Sequence, residues 1–185
     1  MHKKEVLLTL ARAAIAHELG IDYGVDMETL KQENPWLKKQ GAAFVTLNRK
    51  ADGTLRGCIG SIVAHQPLFD DIVNNAKSAA FADPRFKPLR VDEFNEIKIE
   101  ISLLTPPQPL VYESIESLKE KVRPGVDGVI LKEGNYQATF LPQVWEQLPS
   151  FELFFTHLCQ KAGLPQGCLK SHPQIFLYQV EEYAE

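Results

Sequence analysis

Cysteine is scarce in this sequence: three in 185 residues, Cys58, Cys159 and Cys168. An odd number without repeated spacing does not read as a disulfide framework, so a reducing, cytoplasmic setting is expected. Long apolar runs are missing too. The N-terminal MHKKEVLLTLARAAIAHELG begins basic and turns apolar, as a secretion signal does. Arg12, His17 and Glu18 interrupt it, and it reads instead as an amphipathic helix. No stretch approaches the ~18 uninterrupted apolar residues of a membrane span. Positive charge is not in excess: 20 Lys and Arg against 24 Asp and Glu leave −4 with neutral histidines. That disfavours nucleic acid as a partner, since the raw material for a basic groove is confined to Arg49-Lys50 and the 83–90 loop. H-E-x-x-H, the Walker loop, G-x-G-x-x-G and G-x-S-x-G are all absent, so nucleotide-binding and serine-triad readings have no support. His157, Cys159, Cys168 and His172 are zinc-ligand types, but their spacing fits no strong zinc pattern, and side chains two apart on a helix diverge by ~200°. No metal and no cofactor are expected. Cys159 reads as core filler on a helix face, and Cys168 as an incidental loop residue.

What is present is an ordinary globular balance, 44% apolar and 24% charged, in a chain long enough for one domain with a smaller appendage. A helix is expected from about Lys4 to Leu19, closed by Gly20. Two β-rich runs flank Asp52-Gly53 and predict a hairpin. QPLFDDIVNNAKSAAFAD predicts a helix with Pro67 in its first turn. EIKIEISLLT alternates strictly: Ile97, Ile99, Ile101 and Leu103 on one face, Lys98, Glu100 and Ser102 on the other. PPQP at 106–109 is a stiff connector. Ser114 caps a short helix, DGVILKEGNYQATFL forms a second hairpin around Gly134-Asn135, and Pro142 opens a short helix that places Trp145 in the core. SFELFFTHLCQKAG forms an amphipathic helix, and PQIFLYQVEEY a closing strand. Hairpins and helices without regular alternation indicate an α+β fold: a mainly antiparallel sheet flanked by helices, with a smaller subdomain.

The segment LRGCIG, Leu55–Gly60, carries the chemistry. On a regular strand Arg56, Cys58 and Gly60 share a face, and Gly60 leaves room beside the thiol. A guanidinium at ~6 Å would stabilise the thiolate by roughly 3 kcal/mol, about two pKa units, at an effective dielectric of 20. Burial opposes this by penalising the charged form. Cys58 as nucleophile, Arg56 as its activator or an anion anchor, and His65 as the nearest candidate base form one reading. Gly57 and Gly60 would then admit a substrate close to the backbone. The bland alternative is a buried cysteine between glycines that permit close packing. DPRFKPLR sets Arg85, Lys87 and Arg90 in a proline-stiffened loop able to bind an anion, against the simpler reading of a solvated loop. Asp127, in PGVDG, suits turn chemistry.

LRGCIG resembles the signature hexapeptide of the AMMECR domain family, whose prokaryotic members are protein A of the AmmeMemoRadiSam system. FVTL at 44–47, DPRF at 83–86, RPGVDGVIL at 123–131, TFLPQVWEQLP at 139–149 and HLCQKAGL at 157–164 are similar to further family blocks, in order, over most of the chain. The resemblance implies an α+β domain spanning 1–185 with a small subdomain within it, and a cleft near the hexapeptide as the site; Gly57, Gly60, Asp83, Arg85 and Asp127 are the candidate binding residues. It also implies association with two proteins: a Memo-type one resembling metal-dependent dioxygenases, and a radical S-adenosylmethionine one. Two functions follow as expectations. One is a non-catalytic partner or substrate-binding protein for that pair; the other is a cysteine-dependent enzyme.

Overall fold

The computed structural model describes residues 1–185. In chain order its elements are α1 (Lys3–Leu19), α2 (Met27–Glu33), β1 (Ala42–Arg49), β2 (Leu55–Gly60), α3 (Leu68–Phe81), β3 (Ile97–Leu104), β4 (Gln108–Leu110), α4 (Ile115–Lys121), β5 (Gly128–Glu133), β6 (Tyr136–Phe140), α5 (Phe151–Lys161), β7 (Gln174–Tyr178) and β8 (Val180–Ala184), with four short 3₁₀ segments between them. The α+β class is as expected, but the strands form two four-stranded sheets, ordered β2-β1-β3-β8 and β4-β7-β5-β6. The closing strand is in fact two strands, one in each sheet. The chain divides into two compact units, Met1–Leu104 with Glu181–Glu185, and Thr105–Val180. No helix is long and apolar enough to cross a membrane.

In the first unit β1 pairs antiparallel with both β2 and β3. Alternation sends Val45, Leu47, Ile99 and Ile101 into one core with Leu10, Ile15, Ile72 and Ala76. Lys98 stays exposed, as the pattern predicts, while Ser102 departs from it and is buried. The amphipathic reading of α1 is corrected. Apart from half-buried Thr9, every residue from Val6 to Ala16 is buried, because α2, α3 and β3 pack around the helix. Arg12 is tolerated there because its fork is filled: Nη2 reaches Glu185 at 2.6 Å and the Ile97 carbonyl at 2.9 Å, and Nη1 reaches the Phe94 carbonyl at 2.9 Å. Gly20 closes α1 in the left-handed region, φ 72°. The β1–β2 connection is a five-residue loop, 50–54, wider than the two-residue turn that Asp52-Gly53 suggests.

Asp71, in the first turn of α3, fastens that helix to the sheet. Its buried carboxylate accepts from Ala43 N at 2.9 Å, Ser61 Oγ at 2.6 Å, Gln66 Nε2 at 3.0 Å and Asn75 Nδ2 at 3.2 Å. The helix N-terminus favours the negative charge.

In the second unit β5 lies between β6 and β7, with Gly134 turning the β5–β6 hairpin at φ 60°. Part of the proline-rich connector is strand, since β4 pairs with β7. Ser150 caps α5 by accepting from Leu153 N. The helix buries Phe154 against Trp145, the rings stacked at 3.7 Å, and Phe140 meets Phe154 edge-on at 5.2 Å.

The cysteine expectation is overturned here. Cys159, at the end of α5, is bonded to Cys168, in the 3₁₀ segment Cys168–Ser171, and both are buried. Core filler and incidental loop residue are two halves of one cross-link, and the inference from cysteine count to a reducing compartment loses its footing. Spacing could not show this, because the chain doubles back between α5 and the 3₁₀ segment. Closing so short a loop stabilises by about 2–4 kcal/mol. Urea unfolding of the Cys159→Ala/Cys168→Ala double variant is expected to show a loss of that size; a loss below about 0.5 kcal/mol would mean that the bond constrains nothing.

Candidate functional site

The hexapeptide forms β2, at the edge of its sheet. Register places Thr46 opposite Cys58 and Phe44 opposite Gly60. It then slips: Leu47 pairs with Gly57 but Asn48 with Leu55, so Arg56 falls between the two registers. A bulge of this kind re-aims a side chain. The expected shared face of Arg56 and Cys58 therefore ends at Arg56.

Arg56 turns toward the 83–96 segment and is only 3% exposed. Its Nε donates to Glu93 at 2.8 Å, and its Nη2 to the Lys87 carbonyl at 2.8 Å. Glu93 is held below the usual carboxylate range chiefly by this guanidinium. Nη1 is buried and has no hydrogen-bond partner. The proposed activation of the thiol by Arg56 has no geometric basis, because its charge is already matched by Glu93.

Cys58 is half-buried, and its Sγ lies 3.3 Å from Thr46 Oγ1. Its backbone N–H donates to Asp83 Oδ2 at 3.0 Å. Asp83 is itself buried and clasps Arg85, with Nη2 at 2.8 Å and Nε at 3.0 Å. That pairing, with help from the Cys58 amide, holds Asp83 well below the usual carboxylate range. The cation near Cys58 is thus Arg85, whose Nη2 reaches the Cys58 carbonyl at 3.5 Å. It is not enough to activate the thiol. Burial pushes the Cys58 pKa up, Asp83 and Glu100 add to the rise, and Thr46 and Arg85 only partly offset it. The sulfur is a neutral thiol near pH 7, and a thiol is a poor nucleophile.

The two glycines have a packing explanation. A Cβ on Gly57 would stand 2.1 Å from the Ala79 carbonyl oxygen of α3, and one on Gly60 would stand 2.2 Å from the Phe44 ring. The room expected beside the thiol at Gly60 is filled by Phe44, so neither glycine serves to admit a ligand. His65 is exposed, its Nδ1 lies 3.3 Å from the Val63 carbonyl, and it makes no hydrogen bond to Cys58. Asp127 lies in the other compact unit. Its buried carboxylate accepts from Arg123 N at 2.8 Å, Arg123 Nη2 at 3.0 Å and Gln179 Nε2 at 2.9 Å. Burial would raise its pKa, but these donors prevail and lower it. Its own carbonyl accepts from Trp145 Nε1 at 2.9 Å. Asp127 therefore closes its loop, as turn chemistry requires, with both carboxylate oxygens already accepting from Arg123 and Gln179.

Three participants were not singled out as site residues from the sequence. Glu93 and Phe86 sit among charged and apolar neighbours without distinguishing spacing, and Arg49 becomes relevant only because β1 runs beside β2. Phe86 gathers three guanidiniums around its ring, those of Arg49, Arg56 and Arg85, at 6.0, 5.8 and 5.5 Å.

Comparison with known proteins gives a consistent picture. The AMMECR1 family profile matches residues 8–183. A Methanopyrus kandleri protein is 37% identical, with 100% of this chain and 89% of that protein covered. A Methanothermobacter thermautotrophicus protein is also 37% identical, covering 97% and 92%. A crystal structure from Pyrococcus horikoshii superposes with a TM-score of 0.84 at 35% identity, covering 98% of this chain and 90% of that one. The names of these relatives assign no activity.

Proposed function

The chain belongs to the AMMECR1 family, and we propose that it acts as a non-catalytic binding protein, presenting a substrate or a docking surface to a Memo-type metal protein and a radical S-adenosylmethionine protein. The observation that carries this reading is the setting of Cys58. The one free thiol is kept protonated by burial, Arg56 is committed to Glu93, and no base meets the sulfur. A nucleophilic cysteine needs a lowered pKa or an adjacent base, and neither is present. The family resemblance supplies the two partners.

The test is co-expression of this chain with one Memo-type and one radical S-adenosylmethionine protein from the same genome, followed by gentle affinity purification. A complex with either partner, formed equally well by Cys58→Ser, supports the reading. Failure to recover either one, or a turnover abolished by Cys58→Ser in a correctly folded chain, refutes it.

A further inference from the structure

Beside β2 opens a cleft of about 390 Å³, lined by Arg49, Arg56, Arg85, Lys87, Arg90 and Glu93. A chain of net charge −4 here gathers five cations. Three of them have carboxylate partners: Arg56 with Glu93, Arg85 with Asp83, and Arg90 with Asp92. Arg49 donates to the Leu55 carbonyl at 2.8 Å and to Thr54 Oγ1 at 3.3 Å, both neutral. Neither Arg49 nor Lys87 forms an ion pair. The cleft thus carries two positive charges outside any close ion pair. Arg56 in its wall also keeps one donor without a partner, Nη1, on a residue 97% withdrawn from solvent. Buried N–H groups are ordinarily paired, and one left unpaired is costly.

We infer that this cleft binds the phosphate group of a small phosphorylated molecule, with Arg49 and Lys87 as its ligands and Arg56 in its wall. A phosphomonoester carries roughly two negative charges near pH 7, which matches the two unpaired cations. Guanidinium forks fit phosphate oxygens bidentately. The Phe86 ring steadies three of those forks, so the site is organised before a ligand arrives. The volume is that of a small-molecule site and exceeds what one phosphate group fills, so the rest of the ligand occupies the cleft as well. That remainder is polar and sugar-like, since guanidiniums already crowd the one aromatic ring. The inference does not depend on whether Cys58 reacts.

Titration calorimetry on the full chain, with inorganic phosphate, ribose 5-phosphate and ribose as probes at constant ionic strength, tests it. Amide shifts in the ¹⁵N–¹H spectrum locate the site. Ribose 5-phosphate is expected to bind saturably and to move amides within 54–58 and 83–93, whereas ribose does neither. Lys87→Ala and Arg49→Gln, whose parent side chains form no ion pair, should each weaken binding about tenfold. Lys77→Ala, at an α3 residue paired with Glu18 of α1, should change nothing. Ribose 5-phosphate binding at least about tenfold tighter than inorganic phosphate identifies a phosphorylated metabolite as the ligand; equal affinities identify the free anion. The proposal is overturned if neither anion binds saturably up to about 10 mM, if Lys87→Ala and Arg49→Gln bind as the parent does, or if the shifted amides lie elsewhere.

Discussion

A Gly57→Ala chain is expected to lose roughly 3 kcal/mol of stability or more. The added Cβ would arrive 2.1 Å from the Ala79 carbonyl oxygen and 3.0 Å from its carbonyl carbon. Both are backbone atoms in the last turn of α3, so no side-chain rotation relieves the clash; helix and strand must part. Separating them loosens the Asp71 bonds that hold α3 to β1 and exposes core around Ile72, Ala76 and Val45. Gly53→Ala is the control, with φ 72° and nothing within 4 Å of the added atom. It should cost only about 1 kcal/mol, through backbone strain. Urea unfolding, read as the shift in midpoint at constant slope, checks both. If Gly57→Ala unfolds within about 0.5 kcal/mol of the parent, the close approach of α3 to β2 is wrong.

Asp71→Ala is expected to cost on the order of 4 kcal/mol. Four donors converge on this carboxylate, and those of Ala43, at 2.9 Å, and Asn75, at 3.2 Å, lie in buried surroundings. Alanine would leave the Ala43 donor unpaired where water has little access, and an unmet buried donor costs about 1–3 kcal/mol. Asn75 would keep its bonds to the Ala43 carbonyl and Ser61 Oγ, so the loss falls short of the sum. Asp71→Asn separates charge from geometry. Its amide oxygen can still accept from Ala43 N, while its NH₂ group faces donors, so roughly half the loss is expected. A thermal midpoint lowered by about 10 °C for Asp71→Ala corresponds to the predicted change. A shift below about 2 °C would show that the network does not fasten the helix.

Much of the fold was legible because local signals agreed with one another. Alternation in EIKIEISLLT, the Ser114 cap, Gly20, and the Gly134 turn all state a local preference that packing then respects. What failed was long-range. The closing strand splits at Gln179 because its halves pair in different sheets, and no periodicity encodes that. Helix α1 is surrounded by other elements rather than lying on a surface, so its mixed pattern misled. Cys159 and Cys168 meet through a chain reversal. At the site, alternation placed Arg56 with Cys58, and one register slip undid it. Asp83 and Arg85 contact the Cys58 amide and carbonyl, a meeting of distant segments that no local spacing encodes. The partner of Arg56, Glu93, lies 37 residues away, beyond the reach of spacing arguments.

The account rests on Cys58 being a protonated, unactivated thiol, and the direct measurement is its alkylation rate against pH in the native chain without reductant. With Cys159 and Cys168 bonded to each other, Cys58 is the one free thiol and reports alone. The predicted profile is slow, rising with an apparent pKa above the ~8.5 of a free cysteine, and it should be the same in Arg56→Lys, since that guanidinium belongs to Glu93. A midpoint below about 7.5 with fast labelling near neutrality, lost in Arg56→Lys, would contradict the account and restore a catalytic cysteine.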